Sequence, residues 1–185
     1  MPRLAPLDLA TLDPEQKRIA DAIISGPRGG MRGPFEAWLR SPGLCEPAQQ
    51  VGAYCRFGTS LSPALCELVI MLTGRHWRAQ FEFWAHANLA RQAGVSEEVI
   101  EAVRTGTPPS LGTAEERAIY DFVTEYFATN RVSDATYASA KKLFGEKGVV
   151  DIIGIAGYYG LVSMTLNVFQ VAVPEGEARP FENPD

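Results

Sequence analysis

Glu67, Glu82 and His86 are the residues of this chain whose types suit proton transfer, and their spacing raises the question of whether they meet. Histidine titrates near neutral pH, and a glutamate beside it can orient the ring, hold its charge or exchange its proton. Within "GRHWRAQFEFWAH", Gly74 to His86, the polar residues Arg75, Arg78, Glu82 and His86 recur at spacings of three, four and four. On one α-helix those spacings form a single stripe, while Trp77, Phe81 and Trp84 leave by other faces. With Phe83, Ala85, Ala87 and Leu89, the apolar residues cover most of the circumference, so at least part of the stripe is expected to be enclosed.

Enclosed charges need partners, and Arg78 to Glu82 to His86 provides them along the helix, favouring the charged form of His86. Periodicity leaves two readings open: an intrahelical ion network of purely structural purpose, and a catalytic or ligand-binding site. Glu67 shifts the balance toward a site. It stands in "ALCELVIML", where a buried face calls for leucine or valine, and a carboxylate there is costly unless something needs it.

The elements that must position these residues are helical. Asp13, Pro14 and Gln16 give an N-cap, a first-turn proline and a capping-box partner for "PEQKRIADAIIS". Ser62 and Pro63 open a helical region containing both glutamates and His86, with a possible break near Gly74 and a stop at Gly94. Ser96 caps "EEVIEAVRTG", Thr113 with Glu116 forms a second capping box, and Ser133 begins "DATYASAKKLF". Pro47 limits how early the helix in "SPGLCEPAQQVGAYCRFG" begins. The final helix is expected from about Val149 to Val171. No stretch alternates long enough to demand a strand, so the expected fold is all-α, in a single domain spanning 1–185. Residues 1–30 are its N-terminal helix and loop, and 174–185 a polar tail. A faint echo between "PEQKRIADAI" and "AEERAIYDFV" fits two similar halves or a chance likeness of amphipathic helices.

Other features narrow the function. With 17 basic against 22 acidic residues and net charge −5, the chain carries no basic stripe with interleaved aromatics, so no nucleic-acid partner is expected. Three cysteines, Cys45, Cys55 and Cys66, show no CxxC spacing and read as buried reduced thiols. "IIGIAGYYGLVSMTLNVFQVAVP" approaches a membrane span in length, but Ser163, Thr165, Asn167 and Gln170 interrupt it and no basic anchors follow. A buried helix, in the core or between subunits, is the better reading, and no membrane partner is expected. The N-terminus lacks the apolar core of a secretory signal, which points to the cytoplasm. "GPRGGMRG" lacks the Lys-Ser/Thr of a P-loop; it reads as a flexible connection, with the alternative that it lends Arg28 or Arg32 to a neighbouring pocket.

The frame of Glu67, eleven residues, Ala79, Glu82, three residues and His86 resembles the carboxymuconolactone decarboxylase and alkylhydroperoxidase D-like superfamily. Its thiol peroxidases carry CxxC where this chain has Ala79 and Glu82. The following "ANLARQAGVSEEVIEAV" resembles the family's continuation, and the segments from Arg32 to Met71 and from Gly157 to Glu177 resemble longer decarboxylase-like members. The resemblance implies a multi-helical alkylhydroperoxidase D-like bundle assembled into a homo-oligomer, a trimer or hexamer, and acting on a small organic-acid substrate. Peroxide reduction in these relatives needs a thiolate, which Ala79 and Glu82 cannot supply.

The branch that the resemblance supports better is a cofactor-free lyase acting on a carboxylated lactone or unsaturated acid, in the setting of aromatic compound catabolism. Loss of CO2 leaves a carbanion that spreads into a conjugated carbonyl as an enolate, so the enzyme must stabilise oxygen and protonate carbon. His86 is the candidate acid, with Glu67 or Glu82 orienting it; Arg75 and Arg78 are candidates for the anionic substrate, and Tyr158, Tyr159 and Asn167 for closing the pocket. These last three also suit plain helix packing. A metal site from Glu82, His86 and His76 lacks Glu-x-x-His spacing, so neither a metal nor another cofactor is expected. An isomerase or hydratase of the same fold, a thiol-independent relative of the hydroperoxidases and a non-catalytic binding protein are the alternatives.

Overall fold

The predicted caps start the helices in the structure, a computed structural model that describes residues 2–182. Asp13 and Thr113 each close a capping box, opening α1 (Pro14–Ser25) and α7 (Ala114–Thr129). Ser62, Ser96 and Ser133 accept the first-turn amides of α4 (Pro63–His76), α6 (Glu97–Thr105) and α8 (Asp134–Phe169). Each cap satisfies an amide with no partner in its own helix. With α2 (Phe35–Trp38), α3 (Pro42–Phe57) and α5 (Gln80–Gln92), the described residues form eight helices and no strand.

Helix α4 is the centre. Its residues Cys66 to Gly74 are all buried, because α5, α7 and α8 pack around it. A helix buried on every face has no solvent side on which to place Glu67, so that carboxylate must find its partner inside. Helix α8 covers α3, α4 and α7, and α1 and α2 close over α3. Gly145 sits at φ 67°, a kink that splits α8 into two helical pieces and favours the residue without Cβ. The second piece is the expected final helix. It is long and apolar enough to cross a membrane, but most of its apolar window lies inside the fold.

Two expectations are corrected, and a third element gains detail. The region 63–92 is two helices with a turn at 77–79, where Arg78 adopts φ 49° in the left-handed region and reverses the chain. The stripe from Arg75 to His86 therefore does not exist as one helical face. Helix α3 begins at Pro42 and takes Pro47 into its interior. Pro42 in the first turn supplies a pre-set φ there, and this early start prevails over the lost Pro47 amide. The polar tail turns back onto the body: Phe181 is buried edge-on against Phe83, and Gln80 brackets its backbone with two hydrogen bonds.

Candidate active site

The turn at 77–79 lays α5 back along α4 and carries His86 to Glu67. Nδ1 of His86 lies 2.6 Å from a Glu67 oxygen, and Nε2 lies 3.1 Å from Oε1 of Glu82, one turn earlier on α5. Glu67, Glu82 and His86 are 7%, 3% and 5% exposed, so all three belong to the interior. The two glutamates are not equivalent. Glu67 meets the ring along a hydrogen bond, whereas Oε1 of Glu82, though within ion-pair range, has no aligned donor among the described residues. Burial works against a charged imidazole, but the charges of Glu82 and Glu67 outweigh it, and the His86 pKa rises to about 9. The ring is thus a held cation at neutral pH. Tyr159, from α8, meets it edge-on at 4.9 Å.

Beyond this cluster opens a cavity of about 300 Å³ that reaches both Glu82 and His86. Its walls include the aromatic residues Phe35, Phe81, Trp84, Tyr158 and Tyr159, and it is also lined by Arg28, Arg32 and Arg56. The Tyr159 hydroxyl is buried with no partner among the described residues. Burial raises its pKa well above the usual phenol value, so it remains an O–H donor. Burial also raises Tyr158, to about 12.

The structure separates the remaining candidates. Tyr158 lines the cavity, but Arg75, Arg78 and Asn167 do not. Arg75 and Arg78 both lie over the Phe181 ring, with Arg75 bonded to the Thr105 carbonyl and Arg78 to that of Glu182. Their place is the docked tail, because the α4–α5 turn points them away from His86. Asn167 donates to the Trp77 carbonyl at 2.7 Å, tying α8 to that turn. His76 stacks on Phe127 at 4.1 Å, outside this cavity, and does not join Glu82 and His86. Among the described residues no group of three His, Cys, Asp or Glu is arranged to hold a metal ion.

Sequence reasoning placed the arginines wrongly and gave Arg56 no role. Arg56 stands on α3, which periodicity did not connect to α5. Arg28 had a signal, its setting in a Gly-rich loop, but loop composition does not say which cavity a loop borders.

None of the three cysteines lines the cavity. Burial raises Cys45 and Cys55 to about 11, and burial with the Glu67 charge raises Cys66 to about 12. At neutral pH each is a neutral thiol, not a nucleophile.

No protein-family model and no curated protein matches the sequence. Among solved structures, the chain is similar to an uncharacterized peroxidase-related protein from Ralstonia eutropha JMP134, described as an alkylhydroperoxidase AhpD core. The TM-score is 0.77 at 16% identity, over 94% of this chain and 93% of that one. An uncharacterized peroxidase-related protein from Silicibacter sp. TM1040 gives a TM-score of 0.70 at 16% identity, over 89% of each chain. A putative antioxidant defence protein AhpD from Agrobacterium tumefaciens, itself of unknown function, gives 0.66 at 16% identity, over 77% of this chain and 99% of that one. The chain thus has an alkylhydroperoxidase D-like helical fold.

Proposed function

We propose that this chain is a cofactor-free acid–base enzyme that moves a proton at carbon in a small organic acid, with loss of CO2 from a carboxylated lactone as its leading reaction. The observation that carries this reading is the buried histidine held between two carboxylates at the wall of a cavity, one of those carboxylates retaining an oxygen without an aligned donor. Glu67, behind the ring, fixes its orientation. Nε2 and the Glu82 carboxylate facing it are left to work as an acid and base pair.

In the decarboxylation, the bond between the ring carbon and the carboxylate breaks, CO2 leaves, and the electron pair spreads into a conjugated carbonyl as an enolate. Tyr159 offers a hydroxyl without a partner as the donor for the enolate oxygen. The proton on Nε2 of His86 passes to carbon, and solvent restores it through Glu82. Nothing in this sequence requires a thiolate, which agrees with three shut-in cysteines and with Ala79 and Glu82 in the CxxC frame. The same groups can move a proton from one carbon to another without CO2 loss, which makes isomerisation of an unsaturated acid the second reading.

Assembly into a homo-oligomer belongs to this proposal. Its support is an apolar groove of about 470 Å³ between α7 and α8, rimmed by the exposed side chains of Trp77, Tyr126, Ile153 and Met164. Light scattering on the purified chain tests it.

The experiment for the activity compares wild type with His86→Ala on 4-carboxymuconolactone and a panel of unsaturated carboxylated lactones, with products followed by mass spectrometry. CO2 loss that disappears in the variant is the expected result. Turnover that survives the loss of His86 would overturn the assignment, and acids bound by a folded protein without product would make the chain a binding protein.

A further inference from the structure

Arg28 lines the cavity yet takes no part in the cluster of Glu67, His86 and Glu82. Its Nε and Nη2 are shut off from solvent and have no hydrogen-bond partner among the described residues. These are the two nitrogens whose N–H bonds run parallel along one edge of the guanidinium, an edge matched to the two oxygens of a carboxylate. Arg28 is half-buried, but its two shut-in donors left empty are unfavourable, and such donors in native proteins are normally filled. Glu82 is the acidic residue lining the cavity, and it is engaged with His86.

The surroundings hold the guanidinium in place without filling its donors. Its carbon sits 5.0 Å from the centroid of the Phe35 ring. Gly52, in the middle of α3, leaves space for it: a Cβ there would stand 2.5 Å from Nη2 of Arg28 and 2.1 Å from the Tyr158 hydroxyl oxygen. A helix interior disfavours glycine, so the missing side chain marks the point where guanidinium and phenol converge. Arg56 adds a second positive charge to the lining.

We propose that Arg28 is the carboxylate seat of this cavity, and that the substrate is a small planar unsaturated acid seated on the Nε and Nη2 edge with its reacting carbon turned toward His86 and Glu82. This inference rests on the proton-transfer reading of the site. It also narrows the substrate. A guanidinium holding a carboxylate stabilises the ground-state anion and opposes its departure, so the seated group is retained through the reaction. A substrate that loses CO2 here carries two carboxylates, one seated and one leaving; an acid with one carboxylate undergoes proton transfer alone.

The test titrates sorbate, its neutral amide and inorganic phosphate into wild type, Arg28→Gln and Arg28→Lys by calorimetry, with turnover of the lactone panel measured alongside. Sorbate is expected to bind wild type about tenfold or more tightly than the amide, and Arg28→Gln to remove that difference. Arg28→Lys restores part of it, since it returns the charge without the fork. The thermal midpoint of Arg28→Gln stays level or rises, because the empty donors contribute nothing to the fold. Sorbate binding unchanged in Arg28→Gln, or absent from wild type, overturns the seat. Phosphate binding as tightly as sorbate, with the same dependence on Arg28, replaces the carboxylate by an inorganic anion and overturns the substrate class. Binding that depends on Arg28 without turnover of any acid supports the seat and removes the proton-transfer reading. Turnover that needs His86 but ignores Arg28→Gln does the reverse.

Discussion

Two carboxylates, Asp151 and Glu82, are each 3% exposed, and the interior treats them oppositely. Asp151, on α8, accepts from the Tyr54 hydroxyl at 2.7 Å, from the Ser60 amide and hydroxyl at 2.8 and 2.7 Å, and from Lys147 at 2.7 Å. Both its oxygens are filled, and it lines neither the site cavity nor the groove between α7 and α8. Glu82 keeps an oxygen without an aligned donor and borders a cavity. A carboxylate with its acceptor sites filled is a joint between helices; one that keeps an unfilled acceptor in a residue lining a cavity is available to a reactant. Burial and charge alone do not tell the two apart, and the count of filled acceptors does.

The comparison is broken most directly by exchanging the expected losses. Glu82→Gln should lower turnover by about 10²-fold or more, with a stability loss limited to its share in holding the His86 imidazolium. Asp151→Ala should do the opposite, destabilising the fold by about 3 kcal/mol with turnover per folded molecule unchanged. Unchanged turnover in the first variant, or a turnover loss in the second, would dissolve the distinction.

Acid and base should separate the two regions as well. Burial raises the Asp151 pKa, but Lys147, Ser60 and Tyr54 overcome this and hold it far below its ordinary value near 3.8. Its stabilisation is therefore complete above the unfolded value and lost as pH falls toward the folded one. His86 is displaced upward, from 6.5 to about 9, so its contribution is complete below 6.5 and fades as pH rises through 9. Urea midpoints across pH should fall at both ends, and Glu82→Gln should move only the alkaline fall, to lower pH, because one of the charges holding the imidazolium is gone.

Smaller effects sharpen the picture. Gly52→Ala drives a methyl into the Tyr158 hydroxyl and the Arg28 guanidinium, and should cost about 1–3 kcal/mol of stability, partly relieved when Tyr158→Phe is added. Ser60→Ala removes one hydroxyl among the donors to Asp151 and should cost about 1 kcal/mol. Denaturant titrations measure both.

The helix starts were legible because capping is local: Asp13, Ser62, Ser96, Thr113 and Ser133 each act within three residues of themselves. The turn at 77–79 was not, since it rests on Arg78 in a conformation its side chain does not advertise. That one residue decided the candidate site. Glu67 and His86 were singled out, and the turn brings them together; Arg75 and Arg78 were placed on the same stripe, and the same turn sends them to the tail. Arg28 and Arg56 reach the cavity from other elements, through tertiary packing that no spacing within α5 encodes.

The three thiols turn the interior into its own stopwatch. Cys45, Cys55 and Cys66 are 0%, 2% and 4% exposed, and their raised pKa values leave little thiolate at neutral pH even where a reagent could enter. A disulfide-exchange dye added to the native chain can react only as fast as helices part, so its colour records opening events. Cys45 and Cys55 lie on α3 and Cys66 on the central helix, so staggered reaction would mean that α3 lifts first, and simultaneous reaction that the molecule opens as one.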